Sequence, residues 1–417
     1  MRVLIVNTSE CSGGAAVAAR RLMRALNNNG VKARMLVRDK QSDDPNIISL
    51  PQTWLLQRHF LWERLVIWFR MLFRYKHVFD VDIANSGIDI TRLREFKEAD
   101  IIHLHWVNQG MLSLKSIRKI LDSGKRVVWT MHDAWPATGI CHITFDCRRF
   151  ETMCQCCPRL PYNSPTDMAN KTWQRKSRML NGRHITFVAC SEWLAGEARK
   201  SGLLKGQKIV SIPNAIDTRI YSAGDKSAAR AALQLPTDRR LILFVSQYAD
   251  NPYKGMQYLA DACQLMVREN PEMADNTAVA VIGGHSEEIV SALPFKAFPL
   301  GYINDERRMA EAYRAADVFV LPSLSENLPN TIMEAMACGV PCVGFRVGGI
   351  PEEIDHLSTG YVADYRDAAD LARGIRWVLS EADGEAIAKA CVSKVFHHYS
   401  QQAVARKHIE VYETAKK

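Results

Sequence analysis

The stretch SENLPNTIMEAMACGVP, residues 325–341, decides how the chain reads. Glu326 and Glu334 stand eight positions apart, with a turn at Asn327, Leu328 and Pro329 between them. Asn330 or Thr331 is expected to cap a helix running to Ala337, which Gly339 stops and Pro341 keeps stopped. The apolar run VFVL at 318–321 has the length and composition of a buried strand. The segment therefore predicts strand, loop and helix, with Glu326 on the loop and Glu334 about one turn into the helix. The N-terminal end of such a helix presents N–H donors and positive dipole, which suit a phosphate. A carboxylate one turn in can accept hydrogen bonds from a ribose diol.

With GGIPEEI at 348–354 after it, this stretch resembles the nucleotide-sugar site of retaining glycosyltransferases of family 4, which have the GT-B fold. The family pattern is Glu, seven residues, Glu, then helix, small residue and Gly-x-Pro. Here Asn327 replaces the usual Gly or aromatic residue. The resemblance runs from about residue 1 to about 380. It implies two Rossmann-like domains facing a central cleft, with a C-terminal helix crossing back to the first domain. On it we expect domains at 1–222 (acceptor side) and 223–396 (nucleotide-sugar side), and a crossover helix at 397–417.

Bulk properties agree. A chain of 417 residues is too long for one core. Its N-terminus, MRVLIVNTS, reads as a strand with too short an apolar run for a signal peptide, and no run is long enough for a spanning helix. The net charge of +9 fits an anionic ligand or an anionic membrane face. Nucleic acid fits the charge equally, but no nucleic-acid module is recognisable.

Working outward, residues 2–6 form a first strand, followed by a loop with Gly13 and Gly14 and a helix closed by Gly30. That is a Rossmann-like half, but without GxGxxG, so a nicotinamide cofactor is not indicated. The resemblance implies that Gly13 and Gly14 face the donor diphosphate and sugar. In the second half, a strand at 241–246 leads to a turn at 252–255. The family's Gly-Arg after that strand is here Ser246-Gln247, while its Lys-Gly is kept as Lys254-Gly255. Lys254 is thus the main cation for the diphosphate, with Ser246 and Gln247 as uncharged helpers. The Asn327-Leu328 backbone is assigned to the phosphates, Glu334 to the ribose and Glu326 to the donor sugar.

Residues 100–105, DIIHLH, read as a strand with His103 and His105 on one side, in a sugar-facing or structural role. The segment TMHDAW resembles the family's strand-end histidine. That makes His132 a site residue beside Glu326 and Lys254, with Asp133 its orienting partner.

Residues 54–79 hold five Arg or Lys against one Glu, with three Trp. At helical spacing Trp54, Leu61, Leu65, Trp68 and Leu72 share one face, and His59, Glu63, Arg70 and Arg74 another. Such a helix either packs in a core or lies in a membrane interface.

Residues 141–157 hold five cysteines. Cys141, Cys147, Cys154 and Cys157, with His142 as a substitute, either complete a structural tetrahedral zinc site or remain free thiols. The run resembles a subset of bacterial exopolysaccharide enzymes, including the colanic-acid type. Arg148 and Arg149 either meet an anionic acceptor or form a solvated face. No Asp-x-Asp falls on a suitable loop, so no catalytic metal is expected.

The reading is therefore a retaining hexosyltransferase. It moves a sugar from a nucleotide-sugar donor to a lipid-linked saccharide acceptor in cell-surface polysaccharide synthesis. Its expected place is the cytoplasm, peripheral on the inner membrane face. The alternatives are a nucleotide-sugar epimerase of the same fold and a non-catalytic zinc- and membrane-binding adaptor.

Overall fold

The computed structural model describes residues 1–50, 54–74 and 78–415. The chain divides into two compact units, Met1–Ala215 with Val404–Lys417, and Ile216–Ala403.

The first unit is built on a seven-stranded sheet: β1 (Arg2–Ser9), β2 (Lys32–Asp39), β3 (Ile47–Ser49), β4 (Ile101–Leu104), β5 (Arg126–Met131), β6 (Thr186–Ala189) and β7 (Lys208–Ser211). Its order is β3-β2-β1-β4-β5-β6-β7, and neighbours run parallel. A parallel sheet is covered on both faces, so its strands read as continuous apolar runs. In β1, Val3 and Ile5 join the core on one face, and Leu4 and Val6 the core on the other. The helix Gly14–Asn28 covers the first face through Leu22, Met23 and Leu26. The last helix, Gln401–Thr414, sinks Val404, Val411 and Tyr412 into the same core. This is the return of the C-terminus to the first domain that the sequence predicts. The observed division falls at Ala215/Ile216 and Ala403/Val404, where the sequence reading places it at 222/223 and 396/397.

The second unit carries six parallel strands: β8 (Arg240–Tyr248), β9 (Thr277–Gly284), β10 (Lys296–Gly301), β11 (Val318–Leu321), β12 (Cys342–Phe345) and β13 (Gly360–Ala363). Their order is β10-β9-β8-β11-β12-β13. In β8, Leu241 to Phe244 are wholly buried. The order reverses beside β8, between β9 and β11. In sheets of this kind the strand-end crevice at such a reversal is where ligands bind.

In the helix Trp54–Arg70, Trp54, Leu61 and Leu65 do share a face, but it points outward, at 65 %, 60 % and 41 % exposure. Trp62 and Phe69 are exposed beside them, Leu72 follows, and Trp68 is half-buried. Glu63 is fully buried instead. Its carboxylate accepts from the backbone N–H groups of Ile83 (3.0 Å), Ala84 (2.6 Å) and Gly110 (3.1 Å). The adjacent Arg64 donates to the carbonyls of Val78 (2.7 Å) and Val81 (3.2 Å) and pairs with Asp82. Buried loop backbone must find partners, and these two side chains supply them, so Glu63 and Arg64 turn inward together with Leu56, Ile67 and Met71, while Arg70 and Arg74 stay exposed. Residues 75–77 of the 54–79 segment lie outside the described residues.

Candidate functional site

In the second unit the segment around Glu326 folds as expected: strand β11, a loop, and a helix at Asn330–Ala337. The cap differs. Neither Asn330 nor Thr331 caps the helix; Pro329 takes the N-cap position, and no side chain caps the first turn. The positive end of the helix dipole is therefore not screened by a capping oxygen. Gly339 ends the helix at φ +77°.

Two glycines make the loop possible. Gly348 has φ +58°, and a Cβ on it would lie 1.7 Å from the Glu326 carbonyl oxygen. Gly255 has φ +75°, and its Cβ would lie 1.8 Å from the Pro322 carbonyl oxygen. Such backbone approach excludes any side chain. These contacts hold the turn carrying Lys254 and the GGIPEEI turn against the Glu326 loop. A hydrogen bond of 2.9 Å from Gly349 N–H to the Asn327 carbonyl ties the loop further.

Lys254 closes the 3-10 turn Pro252–Lys254, just before the helix Met256–Glu269. Its ammonium is paired with the Glu326 carboxylate, so the structure brings together two residues 72 positions apart. Both are only partly shielded, Lys254 at 30 % exposure and Glu326 at 12 %. Glu334 is buried and accepts a hydrogen bond of 2.8 Å from the Tyr313 hydroxyl. Tyr313 reads from sequence only as an inward residue of its helix, and its bond to Glu334 has no sequence signal. Ser246 does not point a free hydroxyl at a ligand: its Oγ donates to the Tyr248 carbonyl at 2.7 Å, which fixes the end of β8. Gln247 is exposed and Leu328 is buried.

The first unit gathers a second set at the C-terminal ends of β1, β4 and β5. Gly13, at φ +86°, occupies the N-cap position of the helix that Gly14 begins. A Cβ on Gly13 would meet nothing within 4 Å, so the φ itself is what favours glycine there. His132 directly follows β5. Its Nε2 is 2.9 Å from Nδ1 of His105, and its Nδ1 lies 3.6 Å from the Cys190 sulfur. Burial pulls the His132 ring down to about 4 and the His105 ring well below the ordinary range. Both rings are therefore neutral near pH 7, with one N–H shared between them. His103, wholly buried, bonds Tyr412 Oη and Thr130 Oγ1, each at 2.7 Å, which makes its role structural.

Asp133 is not the partner of His132 that the sequence suggested. Its carboxylate accepts from Trp106 Nε1 (2.9 Å), the Trp135 N–H (2.8 Å) and His142 Nδ1 (2.7 Å). His142 Nε2 meets Asp82 at 2.6 Å. Burial opposes charge on His142, but the Asp133 and Asp82 carboxylates on either side raise it to about 10. With both ring nitrogens engaged, His142 is not the substitute metal ligand that was considered. Strand alternation placed His105 on the correct side, but its meeting with His132 depends on β4 and β5 being neighbours.

The cysteine loop holds free thiols. The neighbouring Cys141 thiol lowers the Cys157 thiol, and the Gly139 N–H donates to Cys154 at 3.2 Å. Among the described residues no three His, Cys, Asp or Glu side chains stand together in a geometry that holds a metal ion. Arg148 is committed to Glu197 at 2.7 Å and to Glu151, and Arg149 donates to the Gln155 carbonyl at 2.9 Å. Neither is a dedicated acceptor cation.

Two parallel-sheet α/β units, with an acid-lysine pair and a dipole end at the strand ends of the second, define a GT-B-type protein. Residues 12–220, half of the chain, match the family Glycosyltransferase Family 4, and residues 239–381 match Glycosyl transferases group 1. The chain belongs to glycosyltransferase family 4. Similar curated proteins include the D-inositol 3-phosphate glycosyltransferase of Thermobispora bispora, 29 % identical over 220 residues (50 % of this chain and 51 % of that one). The same-named protein of Geodermatophilus obscurus is 33 % identical over 189 residues, 42 % of this chain and 41 % of that one. The chain spans about half the length of the curated relatives it matches. Among solved structures, sucrose-phosphate synthase from Thermosynechococcus elongatus superposes at TM-score 0.69 with 18 % identity, covering 99 % of this chain and 98 % of that one. Anabaena HepE in complex with UDP and glucose superposes at 0.64 with 15 % identity, covering 99 % and 100 %. At these identities the likeness is one of fold.

Proposed function

We propose that the protein is a retaining glycosyltransferase that moves a hexosyl group from a nucleotide-sugar donor to a lipid-linked saccharide acceptor in cell-surface polysaccharide synthesis. The observation that carries this is the ion pair of Lys254 with Glu326, eight residues before the buried Glu334 and one loop before a helix start without a side-chain cap.

In this reading the departing nucleoside diphosphate accumulates negative charge. Lys254 and the dipole end of Asn330–Ala337 stabilise it without a metal. The diphosphate draws the Lys254 ammonium toward itself, which releases the Glu326 carboxylate to orient donor-sugar hydroxyls. Glu334, held by Tyr313, presents its other lone pairs to the ribose. His132, held neutral beside His105 by burial, contacts the donor sugar.

Exchanging Glu334 for glutamine tests the ribose contact. An amide keeps an oxygen for Tyr313 but loses the charge that strengthens the diol hydrogen bonds. Hydrogen bonds to charged groups contribute about 1.5–3 kcal/mol. Calorimetric donor binding is thus expected to weaken roughly tenfold or more, with the melting temperature unchanged. Wild-type affinity in this variant would remove the ribose assignment. In a panel of nucleotide sugars, with and without lipid extract, lipid-dependent release of nucleotide supports transfer. Isomer formation without release points to the epimerase, and no donor bound at all points to the adaptor.

Membrane contact is the second part of the proposal, placing the protein peripherally on the cytoplasmic face. No helix among the described residues is long and apolar enough to cross a membrane. The outward face of Trp54–Arg70 supports peripheral contact: exposed Trp54, Leu61, Trp62, Leu65 and Phe69, with Arg58 over the Trp54 ring. Trp at an interface with Arg among anionic head groups is the pattern of a surface-lying helix. Trp62→Ser combined with Leu65→Ser is expected to reduce sedimentation with phosphatidylglycerol vesicles at least tenfold while leaving the melting temperature intact. Equal sedimentation would reject the face.

A zinc ion on Cys141, Cys147, Cys154 and Cys157 is proposed on their spacing, together with the Cys141–Cys157 contact and the N–H donor to Cys154. Binding requires the four sulfurs to draw together. Metal analysis of the purified protein is expected to give about one equivalent, and less than about half an equivalent rejects a tight structural site.

A further inference from the structure

A cavity of about 430 Å³ opens beside the C-terminal end of the helix Trp54–Arg70, within the first unit. Three cations line it: Arg70, from the end of that helix, and Lys171 and Arg175, from the helix Met168–Leu180. Lys171 and Arg175 are four residues apart and so project from one helical face. No carboxylate is among the lining residues, and among the described residues none of the three cations pairs with one. Two buried acids stand behind the wall, and both are engaged by backbone N–H groups: Glu63 accepts from Ile83, Ala84 and Gly110, and Asp167 from Cys157 and Asn170. Arg175 makes only long contacts, 3.4 and 3.5 Å, to the carbonyls of Ile83 and Ala84.

The remaining wall is mixed: Val66, Phe69, Leu72, Ile83 and Met168 are apolar, and Asn85, Tyr162, Thr166 and Thr172 add hydrogen-bonding groups. Phe69 and Leu72 are also exposed, at 53 % and 57 %. They join the cavity to the outward aromatic face of the same helix. Three cations with no carboxylate among the lining residues, beside an apolar stretch of wall, select an anion attached to hydrocarbon. A free phosphate would leave the apolar part of the wall unused, and an uncharged lipid would leave the cations without a counter-charge. Arginine and lysine in this role are phosphate binders.

We propose that this cavity binds the phosphate of an isoprenyl-type lipid carrier, whose chain leaves over Phe69 and Leu72 onto the exposed helix face. The inference rests on the lipid-linked acceptor in the functional reading, and it gives that acceptor a specific anchor.

The test uses the full chain and farnesyl phosphate as a soluble probe, followed by calorimetry, with farnesol and inorganic phosphate as companions. Farnesyl phosphate is expected to bind, and each companion to bind at least tenfold more weakly. Lys171→Glu, a change at an exposed position, is expected to weaken farnesyl phosphate at least tenfold, and Arg175→Ala to do likewise. Neither is expected to change binding of a nucleoside diphosphate. Inorganic phosphate binding as tightly as the probe identifies a simple anion site and overturns the proposal, as does farnesol binding as tightly. So does wild-type probe affinity in both variants. If vesicles of phosphatidylcholine and phosphatidylglycerol bind while farnesyl phosphate does not, the surface recognises bulk membrane and the cavity has no carrier. Loss of nucleotide binding by the wild-type chain is a separate outcome: it removes the transferase reading and leaves the cavity measurement readable.

Discussion

Replacing Lys254 with alanine is expected to lower turnover roughly 10²–10³-fold, the range found when one preorganised donor to a developing negative charge is removed. Two effects add. The diphosphate loses its principal cation, since Gln247 stands where the family carries a second. The Glu326 carboxylate, only 12 % exposed, loses its counter-charge and repels the incoming phosphates. Stability should change little, because a partly exposed ion pair contributes about 0–1 kcal/mol. Lys254→Arg keeps the charge and should recover part of the rate. Steady-state kinetics with a melting curve separate the two quantities. A variant with wild-type turnover and a lowered melting temperature would make Lys254 a purely structural residue and would falsify the site.

Gly348→Ala is the second large effect. The new Cβ would sit 1.7 Å from the Glu326 carbonyl oxygen, a contact no rotamer relieves because both atoms belong to backbone or to Cβ. Left-handed backbone adds about 1–2 kcal/mol for a residue with a Cβ. The Glu326 loop must therefore move, taking with it the Gly349–Asn327 hydrogen bond and the ion pair to Lys254. Donor affinity is expected to fall at least tenfold and the melting temperature to drop by several degrees. Gly206→Ala is the control: it has φ +83° but nothing within 4 Å of its Cβ. It should show the backbone cost alone, with donor affinity unchanged. If the two variants behave alike, the close approach of the two turns is not what shapes the loop.

Much of this site was legible in sequence because its parts are local. The helix Asn330–Ala337 and the strand Val318–Leu321 appear at the residues the pattern named. Composition, a stopping glycine and a buried apolar run act over a few residues, and no distant contact overrides them. The cap was misread because Asn330 and Thr331 are good capping types, whereas the tertiary path placed Pro329 at the N-cap. Asp133 was misread for a related reason. It adjoins His132 in sequence, yet its carboxylate turns to Trp106 and His142, which no local pattern connects with it.

The helix Trp54–Arg70 shows the limit most clearly. Its periodicity separates two faces, but a hydrophobic pattern alone does not say which face meets the protein. Glu63 and Arg64 are drawn inward by unpaired loop N–H and carbonyl groups that exist only once residues 78–84 and Gly110 are in place. By itself the sequence determined the two Rossmann-like halves and the family, and it nominated the acids and the lysine as candidates, because these follow from short-range pattern and spacing. The tertiary structure alone decided that Lys254 meets Glu326, that Tyr313 holds Glu334, and that Arg70, Lys171 and Arg175 line one cavity. Each of these depends on bringing distant segments within a few ångströms, and the free energy that does so resides in the packing of the whole sheet rather than in any local stretch.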